Sequence, residues 1–456
     1  ADGTVKCIEE EIPFELPERW EWCRLINICS KLIDGDHNPP KGEDTVTQYL
    51  MLSSTNINND TLVELEKVRY LSKDIFDKEN QRTDVNIGDI FFTSVGSIGR
   101  SCVYTGGFNI CFQRSVSVIR TFILNEYLKR YLDAPFIQNK IAREATGTAQ
   151  KGFYLNQLSN CLIAVPPINE QQKIANAVNK LMEYIVSIET DKATLQDLIK
   201  QTKSKILDLA IRGKLVPQDP NDEPASVLLE RIRTEKEELI KQGKIKRDKK
   251  ESVIFKGEDN SYYEKIGSEV RCIDEELPFE VSDSWAFARL KHIGEVVGGG
   301  TPKTTVSEYW NGEIPWLTPA DFSGYEDMYI SAGSRTITEI GLQSSSAQML
   351  PTNSILYSSR APIGYIAINS NPVSTNQGFK SLVPFDIAMT QYLYYCLKAR
   401  TDDIVRRATG TTFKEISGTE MAETIIPLPP INEQKRIFEQ ASQMLKIITK
   451  IEKSLS

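Results

Sequence analysis

The sequence predicts two homologous α+β domains, each followed by a long helix. The chain has 456 residues, enough for two to four domains of the usual ~150 residues. Blocks of sequence occur twice in the same order, which indicates duplicated domains. After each copy of the last block, apolar residues recur at heptad spacing, as they do in a coiled coil.

The duplication is clearest at the two ends of each domain. Segments 7–25 and 272–290 are identical at 10 of 19 positions. Segments 145–174 and 408–437 are identical at 13 of 30 positions, including all of PPINEQ. The spacing between copies is far too long for a solenoid repeat, so it indicates two homologous domains.

The interiors of the two domains differ. IFFTSVGSIG, from Ile90, aligns weakly with ILYSSRAPIG, from Ile355, whereas segments 34–87 and 299–352 share almost nothing. A shared scaffold with different interiors favours one task performed on two targets. Neutral drift after duplication is the alternative.

Composition excludes several classes of protein. Hydrophobic residues make up 40% and charged residues 25%, as in an ordinary globular protein. No run approaches the ~18 apolar residues of a membrane span, and the acidic, polar first residues do not predict a signal peptide. The histidines are His37 and His292 alone, and the eight cysteines form no CxxC pair. Multi-histidine metal sites, zinc ribbons and thioredoxin-type redox sites are therefore not expected.

No catalytic motif is found. The glycines of 298–301 lack the spacing of a phosphate-binding loop, and no GxSxG motif occurs. Segment 38–40 reads NPP, similar to the motif of adenine-N6 methyltransferases, but Lys41 stands at its aromatic position and no glycine-rich cofactor strand precedes it. We therefore expect no catalytic residue, no metal site and no cofactor in this chain.

Each PPINEQ motif predicts a strand end, a break and a helix start. Asn169 and Asn432 are the expected N-caps, and Glu170 and Glu433 suit the positive end of the helix dipole. Gly213 is expected to end the first helix as its C′ residue. A narrow heptad stripe needs a partner helix, and the other copy in the same chain is the natural one. The predicted seam consists of Ile174, Val178, Leu181, Ile185, Ile188, Leu195, Ile199, Ile206 and Leu209 in the first helix, and Ile437, Met444, Ile448, Ile451 and Leu455 in the second.

Charge is unevenly distributed. Residues 1–89 carry 10 basic and 19 acidic side chains, whereas 90–167 carry 8 and 3, and 341–417 carry 7 and 4. A basic patch on an acidic protein fits phosphate contact on one face, and random asymmetry is the alternative. Segment 241–250 has six basic residues in ten, which we interpret as a solvated linker rather than a nucleic-acid contact.

Several motifs together resemble the specificity subunit of type I restriction–modification enzymes. They are the duplicated domain, PPINEQ followed by a heptad helix, and GKLVPQDPNDEPAS after the first helix. TGTTFKEI…IPLPPINEQ and GGGTPKT…YWNGEIPWLTPADF are typical of target recognition domains. The resemblance covers essentially the whole chain. It implies target recognition domains at 1–167 and 266–430, conserved coiled-coil helices at 168–213 and 431–456, the second expected to be truncated, and a linker with a charged helix at 214–265.

The resemblance also implies a function. Each domain would read one half of a split site in double-stranded DNA, and the helices would pair antiparallel about a pseudo-two-fold axis and act as a ruler. The subunit would be non-catalytic and cytoplasmic. It would dock two modification subunits, which bind S-adenosylmethionine and methylate adenine, and the complex would recruit restriction subunits that use ATP and magnesium. No membrane partner is expected.

DNA contacts are expected from polar loop residues in both domains. The candidates are His37, Lys41, Ser94, Ser97, Arg100, Gln113, Arg114, Thr148 and Lys151 in the first domain, and Thr301, Lys303, Thr304, Ser359, Arg360, Gln377, Lys380, Thr411 and Lys414 in the second. The rival hypothesis is a protein–protein scaffold of duplicated domains that does not bind DNA. A self-contained methyltransferase is opposed by the missing cofactor motif.

Overall fold

The computed structural model describes residues 5–147, 151–245, 247, 251–410 and 414–455. The chain divides into two compact units, Ala1–Thr190 and Asp191–Ser456. In the part of the chain that the structure describes, no helix is long and apolar enough to cross a membrane.

The first unit contains the first recognition-like domain, called domain 1 below, and the start of a long helix. Its strands are β1 (Glu21–Arg24), β2 (Cys29–Asp34), β3 (Tyr49–Leu52), β4 (Ile57–Asn58), β5 (Thr61–Leu62), β6 (Arg69–Leu71), β7 (Ile90–Thr93), β8 (Ser101–Val103), β9 (Asn109–Phe112), β10 (Val116–Thr121) and β11 (Leu162–Val165). Its helices are α1 (Lys73–Thr83), α2 (Asn125–Asp133), α3 (Pro135–Glu144), α4 (Leu155–Ser159) and α5 (Ile168–Ile211), the last of which continues into the second unit.

Domain 1 contains two main sheets with helices on both outer faces: α2 and α3 pack against the sheet of β7, and α1 packs against the sheet of β3. The sheet orders are β2-β10-β7-β8 and β6-β3-β9, and β1 pairs with β11. Successive side chains of a strand point to opposite faces. Phe92 of β7 therefore packs with Leu128 and Leu132 of α2, while Phe91 packs with Phe112 of the other sheet. Both faces of β7 are buried, which explains its uninterrupted apolar sequence.

The second unit contains the second such domain, called domain 2, with its flanking segments. Its strands are β12 (Ser252–Lys256), β13 (Tyr262–Ile266), β14 (Glu269–Cys272), β15 (Ala286–Arg289), β16 (Gly294–Gly298), β17 (Trp310–Leu317), β18 (Tyr329–Ile330), β19 (Arg335–Ile337), β20 (Ile355–Ser359), β21 (Ile363–Asn369), β22 (Ser374–Thr375), β23 (Lys380–Pro384) and β24 (Ile425–Leu428). Its helices are α6 (Ala225–Lys241), α7 (Leu290–Ile293), α8 (Glu339–Gln343), α9 (Thr390–Ala399), α10 (Thr401–Arg407), α11 (Gly418–Ala422) and α12 (Ile431–Ser454).

Domain 2 repeats the topology of domain 1. Its sheets run β16-β23-β20-β21-β18 and β19-β17-β22, and β15 pairs with β24. Each pairing of domain 1's two main sheets has its counterpart here, including one parallel pair, β3 with β9 and β17 with β22. The predicted duplicated α+β architecture is confirmed. Strand β18 and the separate sheet β12-β13-β14 are additions of the second unit.

The repeated motifs at the domain ends attach each long helix to its own domain. In the first unit the indole N–H of Trp20 donates to Glu170 at 2.8 Å. In the second, Trp285 donates to Glu433 at 3.1 Å. These contacts join the first and last duplicated blocks, so they account for the repetition of Trp and Glu in both.

The two predicted N-cap residues are wrong, because each lies inside its helix instead of before it. Helix α5 begins at Ile168 and α12 at Ile431, with Pro430 as the residue before α12, so Asn169 and Asn432 lie inside the first turn. The end of α5 follows the prediction. Gly213 has φ +67°, and the backbone N–H of Lys214 donates to the carbonyl of Leu209 at 2.9 Å. A residue without a Cβ adopts this left-handed conformation without strain.

Within the second unit, the last turns of α5 pack antiparallel to α12. Lys203 forms an ion pair with Glu452, near the end of α12. Just beyond α5, a Cβ on Gly213 would lie 2.9 Å from the ring of Trp285, which in turn bonds Glu433 at the start of α12. Later residues of α5 thus meet earlier residues of α12, as antiparallel helices require.

The predicted seam is present only in the second half of α5. Ile199 and Ile206 are buried, but Leu181, Ile185 and Ile188 are 60%, 47% and 66% exposed. Helix α12 has 24 residues against the 44 of α5, and its last turns already lie opposite Lys203. Side chains this exposed are not buried in a helix seam, so the assignment of these three residues, and of the exposed Leu195, to the seam is wrong.

The other seam residues divide between two environments. Ile174 packs against the core of domain 1 beside α2, and Val178 is half-buried. In the second unit, Ile437 is fully buried in one cluster with Ile206, and Met444 and Ile448 pack against that cluster. Leu209 and Leu455 are half-buried, and Ile451 is exposed.

Candidate nucleic-acid interface

Four loops of domain 1 carry its candidate residues. They are named L1 (35–48, after β2), L2 (94–100, after β7), L3 (113–115, between β9 and β10) and L4 (145–154, between α3 and α4). The loops are joined by backbone hydrogen bonds. Arg114 N–H donates to Asp36 O, Ser94 N–H to Ser115 O, and Phe153 N–H to Ser94 O, each at 2.8 Å. Residues far apart in sequence are thereby brought to one face.

Domain 2 joins the equivalent loops in the same way. Its L1 is 299–309, L2 is 360–362, L3 is 376–379 and L4 is 408–417. Ser359 N–H donates to Gly378 O at 2.7 Å, and Ile416 N–H to Ser359 O at 3.0 Å, which match two of the bonds of domain 1. The side chains of Thr301 in L1 and Gln377 in L3 are hydrogen-bonded.

Most candidate residues on these loops reach solvent. Ser97, Gln113, Arg360 and Lys380 are half-buried. The exposed candidates are His37, Lys41, Arg100, Arg114, Lys151, Thr301, Lys303, Thr304, Gln377 and Lys414. Thr148 and Thr411 lie outside the described residues.

Two candidates are wrong. Ser94 is 1% exposed and Ser359 is 0% exposed, so neither hydroxyl is accessible to a DNA backbone. The Ser94 hydroxyl bonds that of Ser117 at 2.6 Å, and Ser117 donates to Asp34 at 2.5 Å. Both serines end a central strand and use their backbone to connect L2, L3 and L4, which is a structural role.

The basic residues of 90–167 separate into paired and unpaired groups. Arg120, Lys129, Arg130, Lys140 and Arg143 form ion pairs with carboxylates. The remaining three, Arg100, Arg114 and Lys151, make no side-chain hydrogen bond or ion pair within the described residues, and all three lie on L2, L3 and L4. The unpaired positive charge of this stretch is therefore concentrated on the joined loops.

Domain 2 has a carboxylate that the sequence analysis did not single out. Glu415 of L4 lies 3.6 Å from Nη1 of Arg360 and 3.6 Å from Nζ of Lys380, so it holds two candidate cations together. Glycine, Gly152, stands at the equivalent position of domain 1. The residue follows the candidate Lys414 directly, and this position is the only sequence signal that could have identified it.

Carboxyl groups also lie beneath L1 of domain 1. Burial raises the pKa of Asp34, and burial together with the nearby Asp36 raises the pKa of Glu79. Among the residues that the structure describes, no group of His, Cys, Asp or Glu is arranged to hold a metal ion.

The comparisons with known proteins agree on one family. The family model described as "Type I restriction modification DNA specificity domain" matches residues 17–197 and 282–456. The type I restriction enzyme MjaIX specificity subunit of Methanocaldococcus jannaschii is 44% identical over 160 residues, which is 35% of this chain and 37% of the relative. The EcoAI specificity subunit of Escherichia coli is 29% identical over 340 residues, 64% of this chain and 54% of the relative. The chain thus spans about a third to about half of the length of these relatives.

Solved structures share the fold. The HsdS subunit of Thermoanaerobacter tengcongensis has a TM-score of 0.54 at 17% identity, covering 98% of this chain and 94% of that one. A chain from a study of complex assembly and conformational transition of the type I R-M system has a TM-score of 0.62 at 18% identity, covering 97% and 94%. Because the family model matches both halves and most of the sequence, the chain belongs to the family of type I restriction–modification DNA specificity domains.

Proposed function

We propose that this chain is the DNA sequence-specificity subunit of a type I restriction–modification complex that acts in the cytoplasm. Each domain reads one half of a bipartite site in double-stranded DNA through its joined loops L1 to L4. The observation that carries the proposal is that Arg100, Arg114 and Lys151, which have no partner among the described residues of 90–167, all lie on those loops. Free cations on one face of a protein of net charge −8 are what phosphate contact requires.

The loops differ in the part of DNA that their side chains contact. Arg and Lys side chains of L2, L3 and L4 neutralise phosphates and set the register of each domain on the duplex. Side chains of L1, which differ between the domains, read base edges in the major groove. His37 and Lys41 take this place in domain 1, and Thr301, Lys303 and Thr304 take it in domain 2.

The helices hold the two readers apart and provide the docking surface for methyltransferase subunits. The exposed stripe of Leu181, Ile185 and Ile188 supports docking, because contiguous exposed apolar side chains mark interaction surfaces. Two modification subunits bind S-adenosylmethionine and methylate adenine, and restriction subunits use ATP and magnesium. This chain contributes recognition and spacing and no catalytic group.

The test is co-expression of the full chain with its modification partner in a host whose genome is then read for methylated adenine. The expected result is methylation at one bipartite motif, two short specified sequences separated by a fixed unspecified spacer. The variant R100Q/R114Q/K151Q replaces these three cations, and methylation by its complex should be lost. The scaffold alternative predicts no DNA shift by the assembled complex and no dependence on these cations.

A further inference from the structure

An arginine occupies the same register position in both domains, although the surrounding sequences share almost nothing. In domain 1, Met51 of β3 pairs in parallel with Cys111 and in antiparallel with Arg69 of β6. In domain 2, Trp316 of β17 pairs in parallel with Ser374 and in antiparallel with Arg335 of β19. The two arginines are 266 positions apart, whereas the duplicated blocks align at offsets of 265 and 263, so an ungapped sequence comparison does not match them.

Arg335 is exposed and oriented by two tryptophans. Its guanidinium carbon lies 3.6 Å from the ring centroid of Trp310 and 5.5 Å from that of Trp316. Stacking on an aromatic face fixes the plane of an arginine while leaving the N–H groups at its edge available. Within the described part of the chain, no hydrogen bond or ion pair engages the side chain of Arg335.

The same tryptophans hold L1 of domain 2. Trp316 Nε1–H donates to Gly300 O at 2.9 Å, and Trp310 Nε1–H donates to Lys303 O at 3.2 Å. Arg335 is therefore fixed beside the loop that carries Thr301 and Lys303, and its charge adds to that of Lys303.

Arg69 is connected to L1 of domain 1 more directly. Its Nη1–H donates to Pro40 O at 2.6 Å, and a Cβ on Gly42 would lie 2.6 Å from its Cγ. Arg69 is half-buried, and among the described residues this is the one hydrogen bond of its side chain, which uses one of the five N–H donors of the guanidinium. Both domains thus place an arginine against the base of L1 by different local means.

We propose that Arg69 and Arg335 each bind a backbone phosphate of the DNA half-site read by their domain, a proposal that rests on the DNA-reading function above. The ligand is phosphate rather than a base because the arginine is the same in two interiors that otherwise differ. A residue whose task depended on the sequence read would be expected to differ with it, whereas phosphates are the same in every half-site. The planar fork of arginine matches two phosphate oxygens.

The experiment measures binding of the assembled complex to a duplex carrying the motif that the wild type methylates, over a range of salt concentrations. R335Q and R69Q should each weaken binding by on the order of tenfold, as loss of one charge-assisted hydrogen bond does. Each should reduce the slope of log K against log salt by about 0.9, and the double variant by about twice that amount. The methylated motif should be unchanged, since phosphate contacts carry no sequence information.

Controls separate charge from folding. K265Q removes an exposed cation from the separate sheet β12-β13-β14 and should leave the salt slope unchanged. R335K and R69K retain the charge and should keep the wild-type slope even where the affinity falls severalfold. If the salt slope is unchanged in R335Q and R69Q, the inference is overturned and the proposed function is left intact. The same conclusion follows if either variant changes one base of the methylated motif. A wild-type complex that methylates no bipartite motif overturns the proposed function, and this inference with it.

Discussion

At the scale of single residues, Glu415 distinguishes the joined loops of domain 2 from those of domain 1. It lies 3.6 Å from both Arg360 and Lys380 and lowers the net positive charge on the joined loops of domain 2. Domain 1 has glycine at this place, and among the residues that the structure describes Arg100, Arg114 and Lys151 have no ion-pair partner. The two domains are therefore expected to bind DNA with unequal electrostatic contributions.

Replacing Glu415 by glutamine should strengthen DNA binding by the complex about fivefold at low salt, because one surface charge interaction contributes ~1 kcal/mol. The gain should include duplexes that lack the motif, so discrimination falls. Binding measured on specific and unrelated duplexes tests this. E258Q removes an exposed carboxylate from the β12–β13 turn and should change neither affinity. Weaker binding by E415Q would show that the carboxylate positions Arg360 and Lys380 instead of opposing DNA.

A cluster of charged side chains around the buried Glu264 connects the sheet β12-β13-β14 to domain 2. Glu264 is 1% exposed and accepts hydrogen bonds from Ser252, Arg271 and both Nε and Nη2 of Arg289, each at 2.7 Å. Arg289 is itself buried in strand β15, so each partner compensates the buried charge of the other. The cluster ties the added sheet β12-β13-β14 to domain 2.

E264Q should destabilise domain 2 by about 1–3 kcal/mol, because it weakens charge-assisted hydrogen bonds of the buried Arg289, which keeps its ion pairs with Glu276 and Glu423. Hydrogen bonds from Arg289 lower the pKa of Glu264 from its ordinary 4.5. A depressed folded-state pKa gives stability that is complete above about pH 4.5 and is lost as the pH falls below it. Domain 2 of the wild type should therefore unfold at a lower temperature in acid than at pH 7. E264Q should show a lower melting temperature at pH 7 and a smaller loss on acidification; equal pH profiles would contradict the role of Glu264.

At the scale of elements, the attachment of each helix to its domain differs from what local sequence suggested. The carboxylates of Glu170 and Glu433 face the helix N-terminus, as the dipole favours, but they also accept from Trp20 and Trp285. The PPINEQ motif is thus a joint between a helix and its own domain. A rigid joint of this kind is needed if helix length is to determine the separation of the readers.

Inserting seven residues after Ile188 of α5 should lengthen the unspecified spacer by about three base pairs and leave both half-sites unchanged. A heptad adds ~10 Å at the helical rise and returns the stripe to nearly the same face. The insertion lies in the exposed stretch of α5, before the turns that pack on α12. The methylated motif of the insertion variant gives the spacer directly.

A two-residue insertion at the same place is the matched control. It rotates the following turns by about 200°, which moves the apolar stripe to the opposite face, and methylation should be lost. If the heptad variant methylates a motif with the wild-type spacer, then the length of α5 does not determine the spacing of the half-sites.

At the scale of the whole molecule, the same topology appears twice with different interiors. Domain 1 has helix α1 of 11 residues after β6, whereas domain 2 has α8 of five residues after β19. Two of the backbone bonds that join the loops are nevertheless equivalent in the two domains. The shared scaffold thus carries loops and interiors that differ between the domains.

Exchanging residues 34–87 for the corresponding segment of another family member should change one half of the methylated motif and leave the other half and the spacer as they are. The segment carries L1 of domain 1 and no residue of the second unit. Methylome sequencing of the exchange variant provides the measurement, with exchange of 299–352 as the reciprocal experiment. Simultaneous change of both half-sites would contradict independent reading.

The sequence by itself determined the duplication, the long helix ending at Gly213 and the set of loops that carry the candidates. These features depend on repetition, on periodicity and on local backbone preference, all of which are expressed over short stretches of chain. The pseudo-two-fold relation between the domains stays a prediction.

Only the tertiary structure decided which candidate groups are available. Arg120 is neutralised by Asp89, whereas Arg114 is unpaired among the described residues, and no spacing rule separates these two cases. Ser94 and Ser359 are buried, and Arg69 and Arg335 are equivalent only through strand register. Burial, ion pairing and register are set by where distant segments meet, and that depends on packing between elements rather than on the order of residues within any one of them.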